Sequence, residues 1–199
     1  MSEAVFYFGG FLASQPDIDA WLRSARLQKP AVKFIGFPWP RGAHAGAASA
    51  VKTFSKDGKL DSVIDDIERT SADTIYIVGH SSGCAIANAV DAGVDSANHV
   101  VLVTLDGFKP SDSQLDREDT QVWGAMCDGR TSRNFPGAAK GRRRVYTATN
   151  CKSEWPLHFS LVNTNATDAN KALVGGDITK GYVDCRANLL FLGRSMELR

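Results

Sequence analysis

Short apolar segments alternate with amphipathic segments along most of the chain. The apolar segments are too brief for helices and are rich in β-branched and aromatic residues, which is typical of buried strands. They predict strands at 4–8, 31–37, 74–78, 99–105 and 145–149. Because stretches of helical periodicity lie between them, the pattern predicts an α/β fold in which helices flank a mostly parallel sheet.

Three of the intervening stretches predict helices. The first has an apolar face that must end before Pro30 and is made of Ile18, Trp21, Leu22 and Ala25. The second repeats this spacing with Leu60, Val63, Ile64 and Ile67. The third is a run of small residues that continues through Val90 and is ended by Gly93. The glycine- and alanine-rich residues 41–46 predict only a loop.

Length and composition are those of an ordinary globular domain. The 199 residues suit a single domain that covers 1–199, with 43% hydrophobic and 23% charged residues. A net charge of +1 gives no indication of nucleic acid or of an anionic membrane as a partner. No apolar run reaches the roughly 18 residues of a membrane-spanning helix, and the acidic start Met-Ser-Glu is unlike a signal peptide. We therefore expect a cytoplasmic protein.

The four cysteines predict neither a metal site nor a disulfide framework. Cys84, Cys127, Cys151 and Cys185 form no CxxC pair and no His/Cys ligand spacing. Cys84 falls in the small-residue helix, where we expect a buried apolar side chain. The sequence has no glycine-rich phosphate loop either, so no cofactor is expected.

Residues 74–83 carry the clearest chemical signal in the chain. A strand-forming run leads directly into Gly79-His80-Ser81-Ser82-Gly83, a Gly-x-Ser-x-Gly motif with a helical pattern behind it. On a sharp strand-to-helix turn, a serine hydroxyl is exposed above the sheet and lies near the positive end of the helix. The context therefore predicts that Ser81 is a nucleophile.

A serine hydroxyl needs a base to remove its proton, and four histidines compete for that role. His80 lies within the motif, and we expect its side chain to point away from the exposed face of Ser81. His99 precedes a strand, so it belongs to the opposite edge of the sheet. His158 follows the predicted strands and the motif and is the favoured base, with His44 as the alternative.

The base in turn needs an acid, for which Asp106 is the favoured residue. It directly follows the 99–105 strand, whose neighbour in a parallel sheet should be the strand that leads into the motif. Glu154 is the main rival, because it lies only four residues before His158. Asp112 and Asp128 fit surface charges, and Asp106 itself also fits a turn residue before Gly107.

The tetrahedral intermediate of acyl transfer needs two donors aimed at its oxyanion. The backbone N–H of Ser82, directly after the nucleophile, is the first candidate. The second is expected from the Gly9-Gly10-Phe11 turn that follows the first strand. The sequence does not separate Gly10 from Phe11, and a simple tight turn is the competing interpretation.

These motifs together resemble the α/β-hydrolase superfamily, with Ser81 at the position of its elbow serine. The order Ser81, Asp106, His158 also matches, as do the segments Leu105-Asp106-Gly107-Phe108 and His158-Phe159-Ser160. Within the superfamily the chain looks most like the thioesterase branch. The resemblance implies a compact α/β-hydrolase fold with a lid-like insertion at about 109–141, a polar stretch of low periodicity.

The resemblance implies a serine esterase or thioesterase that acts on a small-molecule acyl ester or thioester. Aromatic residues expected to line its acyl pocket are Trp39, Phe108 and Trp123, although each also fits a core role. The basic run at 140–144 fits contact with an acyl carrier protein, but it also fits a solvated approach to a strand. An acyltransferase with the same triad and a non-catalytic small-ligand-binding protein on the same fold are the alternatives.

Overall fold

The computed structural model describes residues 2–44, 46–95, 99–105, 107, 120–124 and 144–149. The strands are β1 Glu3–Phe8, β2 Lys33–Phe37, β3 Thr74–His80, β4 His99–Leu105, β5 Thr120–Gly124 and β6 Arg144–Thr149. The helices are α1 Gln15–Gln28, α2 Ala47–Phe54, α3 Lys59–Glu68 and α4 Gly83–Gly93. A 3₁₀ turn at Lys56–Gly58 joins α2 to α3.

The described strands form one sheet in the order β2-β1-β3-β4-β6-β5. Every adjacent pair is parallel, which confirms the predicted α/β fold with a parallel sheet. β3 lies between β1 and β4, and all seven of its residues are buried. Because the strands are parallel, the carboxyl ends of these three central strands meet at one edge of the sheet.

Helices cover both faces of the sheet, and the two-residue alternation of the strands divides the core between them. On one face Tyr7 and Tyr76 belong to a buried cluster with Trp21 of α1. The Tyr7 and Trp21 rings stack with centroids 4.0 Å apart. On the other face Phe6 and Ile77 belong to a second buried cluster, to which α2, α3 and α4 contribute. Strands that are apolar on both sides therefore form the middle layer of the fold.

The start of α1 is fixed by local chemistry. The backbone N–H and the hydroxyl of Ser14 donate to Asp17 Oδ2 at 2.8 and 2.6 Å. Pro16 lies in the first turn, where a helix has no need of its missing N–H. The helix ends at Gln28, before Pro30, as predicted. In the described part of the chain, no helix is long and apolar enough to cross a membrane.

The structure adds two elements that the periodicity does not predict. α2 buries Ala50 and Phe54, and at eight residues it is too short to establish a clear helical pattern. β5 lies within 109–141, the segment expected to be a lid, and pairs with β6 at the edge of the sheet. The lid prediction otherwise concerns residues outside the described ranges. In addition, β3 continues two residues past the predicted strand, through Gly79 and His80.

Candidate active site

The turn between β3 and α4 holds Ser81 in an uncommon backbone conformation. β3 ends at His80 and α4 begins at Gly83, so only Ser81 and Ser82 connect them. Ser81 has φ 53°, in the left-handed region that costs a non-glycine residue about 1–2 kcal/mol. This is the strand–turn–helix context that the sequence predicts for the motif, and it presents a partly exposed serine at the edge of the sheet.

Backbone hydrogen bonds hold Ser81 in this conformation from two directions. Its N–H donates to the carbonyl oxygen of Leu105, the last residue of β4, at 2.8 Å. Its own carbonyl oxygen accepts from the N–H of Cys84 in the first turn of α4 at 3.1 Å. The neighbouring strand and the following helix thus both fix the serine. The Cys84 side chain is fully buried beneath this turn, as predicted.

The two glycines of the motif allow strand and helix to pack without side chains between them. A Cβ added at Gly79 would lie 2.5 Å from the Cα of Cys84. A Cβ added at Gly83 would lie 2.5 Å from the carbonyl oxygens of both Phe8 and Gly9. Since real Cβ contacts are longer, α4 reaches its place against β3 and the end of β1 only with glycine at both positions.

The turn after β1 touches Ser81. A Cβ built on Gly10 would lie 2.7 Å from Ser81 Cβ and 3.0 Å from the His80 carbonyl oxygen. Gly10 is buried and Phe11 is partly buried. Over the described ranges, the backbone N–H groups of Gly10 and Phe11 donate to no protein acceptor. Either N–H group is therefore placed to be the second oxyanion donor that the sequence predicts, with the Ser82 N–H as the first.

Hydrogen bonds to the end of β2 hold this turn in place. Gly9 N–H donates to the Phe37 carbonyl oxygen at 3.0 Å, and Trp39 N–H donates to the Ala13 carbonyl oxygen at 2.9 Å. The turn is closed by the Ala13 N–H, which donates to the Gly10 carbonyl oxygen at 2.9 Å. The backbone around Gly10 is therefore fixed before any substrate arrives.

Trp39, expected to line the acyl pocket, is only 8% exposed. Its indole N–H donates to the Ala43 carbonyl oxygen at 3.2 Å, and its ring meets the Phe11 ring edge-on with centroids 5.6 Å apart. Trp39 therefore packs against the Phe11 side chain and helps to hold the turn after β1. Contact between Trp39 and a substrate stays a prediction.

Three of the four histidines lie in the described ranges. His99 begins β4 and so occupies the opposite edge of the sheet from Ser81, as predicted. His80 is 4% exposed, and its Nδ1 would lie 3.2 Å from a Cβ built on Gly10. His44 is exposed, and its backbone N–H donates to Ser49 Oγ at 2.9 Å. His158, the favoured base, lies outside these ranges.

For the favoured acid, Asp106, the structure describes the strand that precedes it. β4 pairs with β3 in a register that sets Leu105 beside His80, so the chain leaves β4 at the edge that carries Ser81. This confirms the neighbour relation from which Asp106 was predicted. Asp106, Glu154 and Phe108 themselves lie outside the described residues. Trp123 is in β5, for which the backbone alone is described.

Leu12 is a feature of the site that the sequence does not reveal. It has φ 64° in the turn after Gly10, and its side chain is 42% exposed. The glycine pair at 9–10 indicates a turn, but a leucine in the left-handed region has no sequence signal of its own. Elsewhere in the described ranges, no group of three or more His, Cys, Asp or Glu residues is placed to hold a metal ion.

Comparison with known proteins gives structural likenesses at low sequence identity. No protein-family model and no curated protein matches the sequence. The catalytic core domain of acetyl xylan esterase from Trichoderma reesei is 12% identical, with a TM-score of 0.48 over 90% of this chain and 98% of that one. An acetylxylan esterase solved at 0.90 Å resolution is 11% identical, with a TM-score of 0.43 over 97% of each chain. A Xanthomonas campestris pv. campestris protein assigned to the α/β superfamily of hydrolases is 14% identical, with a TM-score of 0.35 over 73% of this chain and 86% of that one.

Proposed function

We propose that this protein is a serine hydrolase that cleaves a carboxylic ester or a thioester through an acyl-enzyme intermediate on Ser81. The observation that carries the proposal is the contact between two turns. Ser81, held at φ 53°, touches Gly10, and the N–H groups of Gly10 and Phe11 have no protein acceptor in the described part of the chain. The proposed nucleophile and the proposed donors for the developing oxyanion therefore share one edge of the sheet.

The surroundings of Ser81 favour negative charge on the substrate oxygen. The Ser82 N–H follows the nucleophile, and Ser82 occupies the N-cap position of α4. The positive end of this 11-residue helix faces the same turn and favours an anion there. A carbonyl oxygen bound between Ser82 and the Gly10–Phe11 turn would gain hydrogen bonds as it becomes an oxyanion, which lowers the barrier rather than only tightening binding.

The proposed reaction uses His158 as the base and Asp106 as its partner. His158 takes the Ser81 proton as Oγ bonds to the acyl carbon, and then gives that proton to the alcohol or thiol that leaves. Water, deprotonated by His158, next attacks the acyl-enzyme, and its proton returns to Ser81 Oγ as the acid is released. Asp106 orients the imidazole and stabilises its charged form.

Covalent labelling tests the nucleophile directly. The wild-type protein is expected to react with a fluorophosphonate probe and to hydrolyse short p-nitrophenyl esters, and Ser81→Ala is expected to lose both activities. Ser62→Ala, an exposed serine on α3, is the matched control and should behave as the wild type. Persistent labelling of Ser81→Ala would show that the assignment is wrong.

The acid is tested by comparing two substitutions. Asp106→Asn is expected to lower kcat by about 10⁴, because the base loses the partner that holds its reactive tautomer. Glu154→Gln should change kcat little. The reverse result would transfer the role to Glu154. The base is tested in the same way: His158→Ala is expected to lower kcat strongly and His44→Ala to change it little. The reverse result would transfer the role to His44.

Ester and thioester substrates are distinguished by their rates. Matched p-nitrophenyl esters and acyl thioesters of coenzyme A, with equal acyl chains, are compared by kcat/KM. A preference for the thioester would support the thioesterase interpretation and the use of the basic run at 140–144 as a contact for a carrier. A preference for the simple ester would favour an esterase.

A further inference from the structure

Leu12 combines a strained backbone with an exposed apolar side chain. Its φ of 64° lies in the left-handed region, where a bulky side chain is strained. The same side chain is 42% exposed, so burial does little to compensate for the strain. Asparagine or glycine at this position would relieve the strain.

Exposure alone would not single out this residue, since isolated surface leucines are common. Leu27 on α1 is 84% exposed, but it lies within a helix and outside the left-handed region. Leu12 differs in having a left-handed backbone and in its place beside the nucleophile. It follows Gly10 and Phe11 directly, and Gly10 touches Ser81.

The geometry of the turn places Leu12 within reach of a substrate on Ser81. Consecutive Cα atoms are about 3.8 Å apart, so the Cα atoms of Leu12 and Gly10 are separated by at most about 7.6 Å. The hydrogen bond from Ala13 N–H to the Gly10 carbonyl oxygen closes this turn, and the Phe11 ring packs on Trp39. The turn therefore holds the Leu12 backbone at a fixed place two residues from Gly10, which contacts Ser81.

We infer that Leu12 is a specificity-determining residue, which contacts an apolar group bonded to the scissile carbonyl. The inference rests on the proposed function, because it needs a carbonyl oxygen bound beside Gly10 and Phe11. The apolar group is either the acyl chain or the carbon chain of the leaving alcohol. Packing an apolar chain against Leu12 removes both surfaces from water. Each buried methylene is expected to raise kcat/KM about fourfold.

Two substitutions separate the side chain's apolar character from the strain of its backbone. Leu12→Asn keeps a similar size and relieves the strain, but it offers a polar surface. Leu12→Met keeps the apolar surface and the strain. Leu27→Asn is the matched control for removing an exposed leucine. One set of substrates is p-nitrophenyl acetate and hexanoate, and the other is methyl and hexyl acetate.

Leu12→Asn is expected to raise the Tm by about 2–4 °C and to lower the long-to-short ratio of kcat/KM about tenfold in one of the two sets. That set identifies the acyl chain or the alcohol as the group contacted. Leu12→Met and Leu27→Asn should keep the wild-type ratios.

Ratios that stay within twofold of the wild type for Leu12→Asn in both sets would overturn the inference. An equal loss in Leu12→Met would also overturn it, since methionine retains the apolar contact. If the wild-type protein hydrolyses no ester or thioester and does not react with the fluorophosphonate, the proposed function itself fails, and this inference fails with it.

Discussion

Replacing Gly10 by alanine tests whether the turn after β1 and the Ser81 turn act as one unit. The new Cβ would lie 2.7 Å from Ser81 Cβ, 3.0 Å from the His80 carbonyl oxygen and 3.2 Å from His80 Nδ1. Non-bonded carbon atoms pack at about 3.5–4.0 Å, so the two turns must separate by about 1 Å. The His80 carbonyl oxygen belongs to the backbone, and Ser81 Cβ is bonded directly to the backbone. Rotation of a side chain therefore cannot relieve this overlap.

A displacement of this size is enough to weaken the oxyanion contact. A donor that moves from about 2.9 to about 3.9 Å from its acceptor no longer makes a hydrogen bond. Loss of one such donor costs about 10²–10³ in kcat. We expect Gly10→Ala to lower kcat for p-nitrophenyl acetate about 100-fold and to change KM less than about threefold, because the contact strengthens only in the transition state.

Stability has to be measured separately, because the overlap itself costs about 1–3 kcal/mol. Circular dichroism gives the Tm of each variant, and rates are compared well below it. Gly46→Ala is the matched control, since a Cβ there meets no atom within 4 Å and φ is −75°. It should keep wild-type kcat. A folded Gly10→Ala protein with kcat within threefold of the wild type would refute this reasoning.

Three further predictions concern stability. Ser81→Gly should melt about 2–4 °C above Ser81→Ala, because glycine avoids the strain at φ 53° that alanine retains; equal Tm values would argue against that strain. Gly79→Ala should lower the free energy of unfolding by about 3 kcal/mol in urea titrations, since its Cβ would lie 2.5 Å from the Cα of Cys84; a loss below about 1 kcal/mol would contradict the close packing. Asp17→Ala should cost about 1–2 kcal/mol by the same measurement, because it removes two hydrogen bonds at the start of α1. Asp65→Ala, an exposed control, should change stability by less than about 0.5 kcal/mol, and equal losses would contradict the capping role.

Much of the α/β layering follows from the sequence because it depends on local patterns. The run at 74–78 is apolar at every position apart from its threonine, and a strand buried on both faces requires just that. α1 has its N-cap at Ser14 and ends shortly before Pro30, so residues next to the helix determine both of its ends. α2 was not predicted because eight residues are too few to establish a helical period, and β5 was not predicted because Thr-Gln-Val-Trp-Gly contains only two apolar residues. α2 packs its Ala50 and Phe54 in a buried cluster with residues of β1 and α4, and β5 pairs with β6, so both depend on distant parts of the chain.

In the candidate site, too, some features follow from local sequence and others only from tertiary contacts. By itself, the sequence determined that Ser81 occupies a turn between a strand and a helix, since the flanking glycines and periodicities are local signals. The contact of Gly10 with Ser81 and the strained backbone of Leu12 were decided by the tertiary structure. Parallel pairing of β1 with β3 brings together turns that are far apart in sequence. Hydrogen bonds to β2 then impose on Leu12 a conformation that its own side chain disfavours.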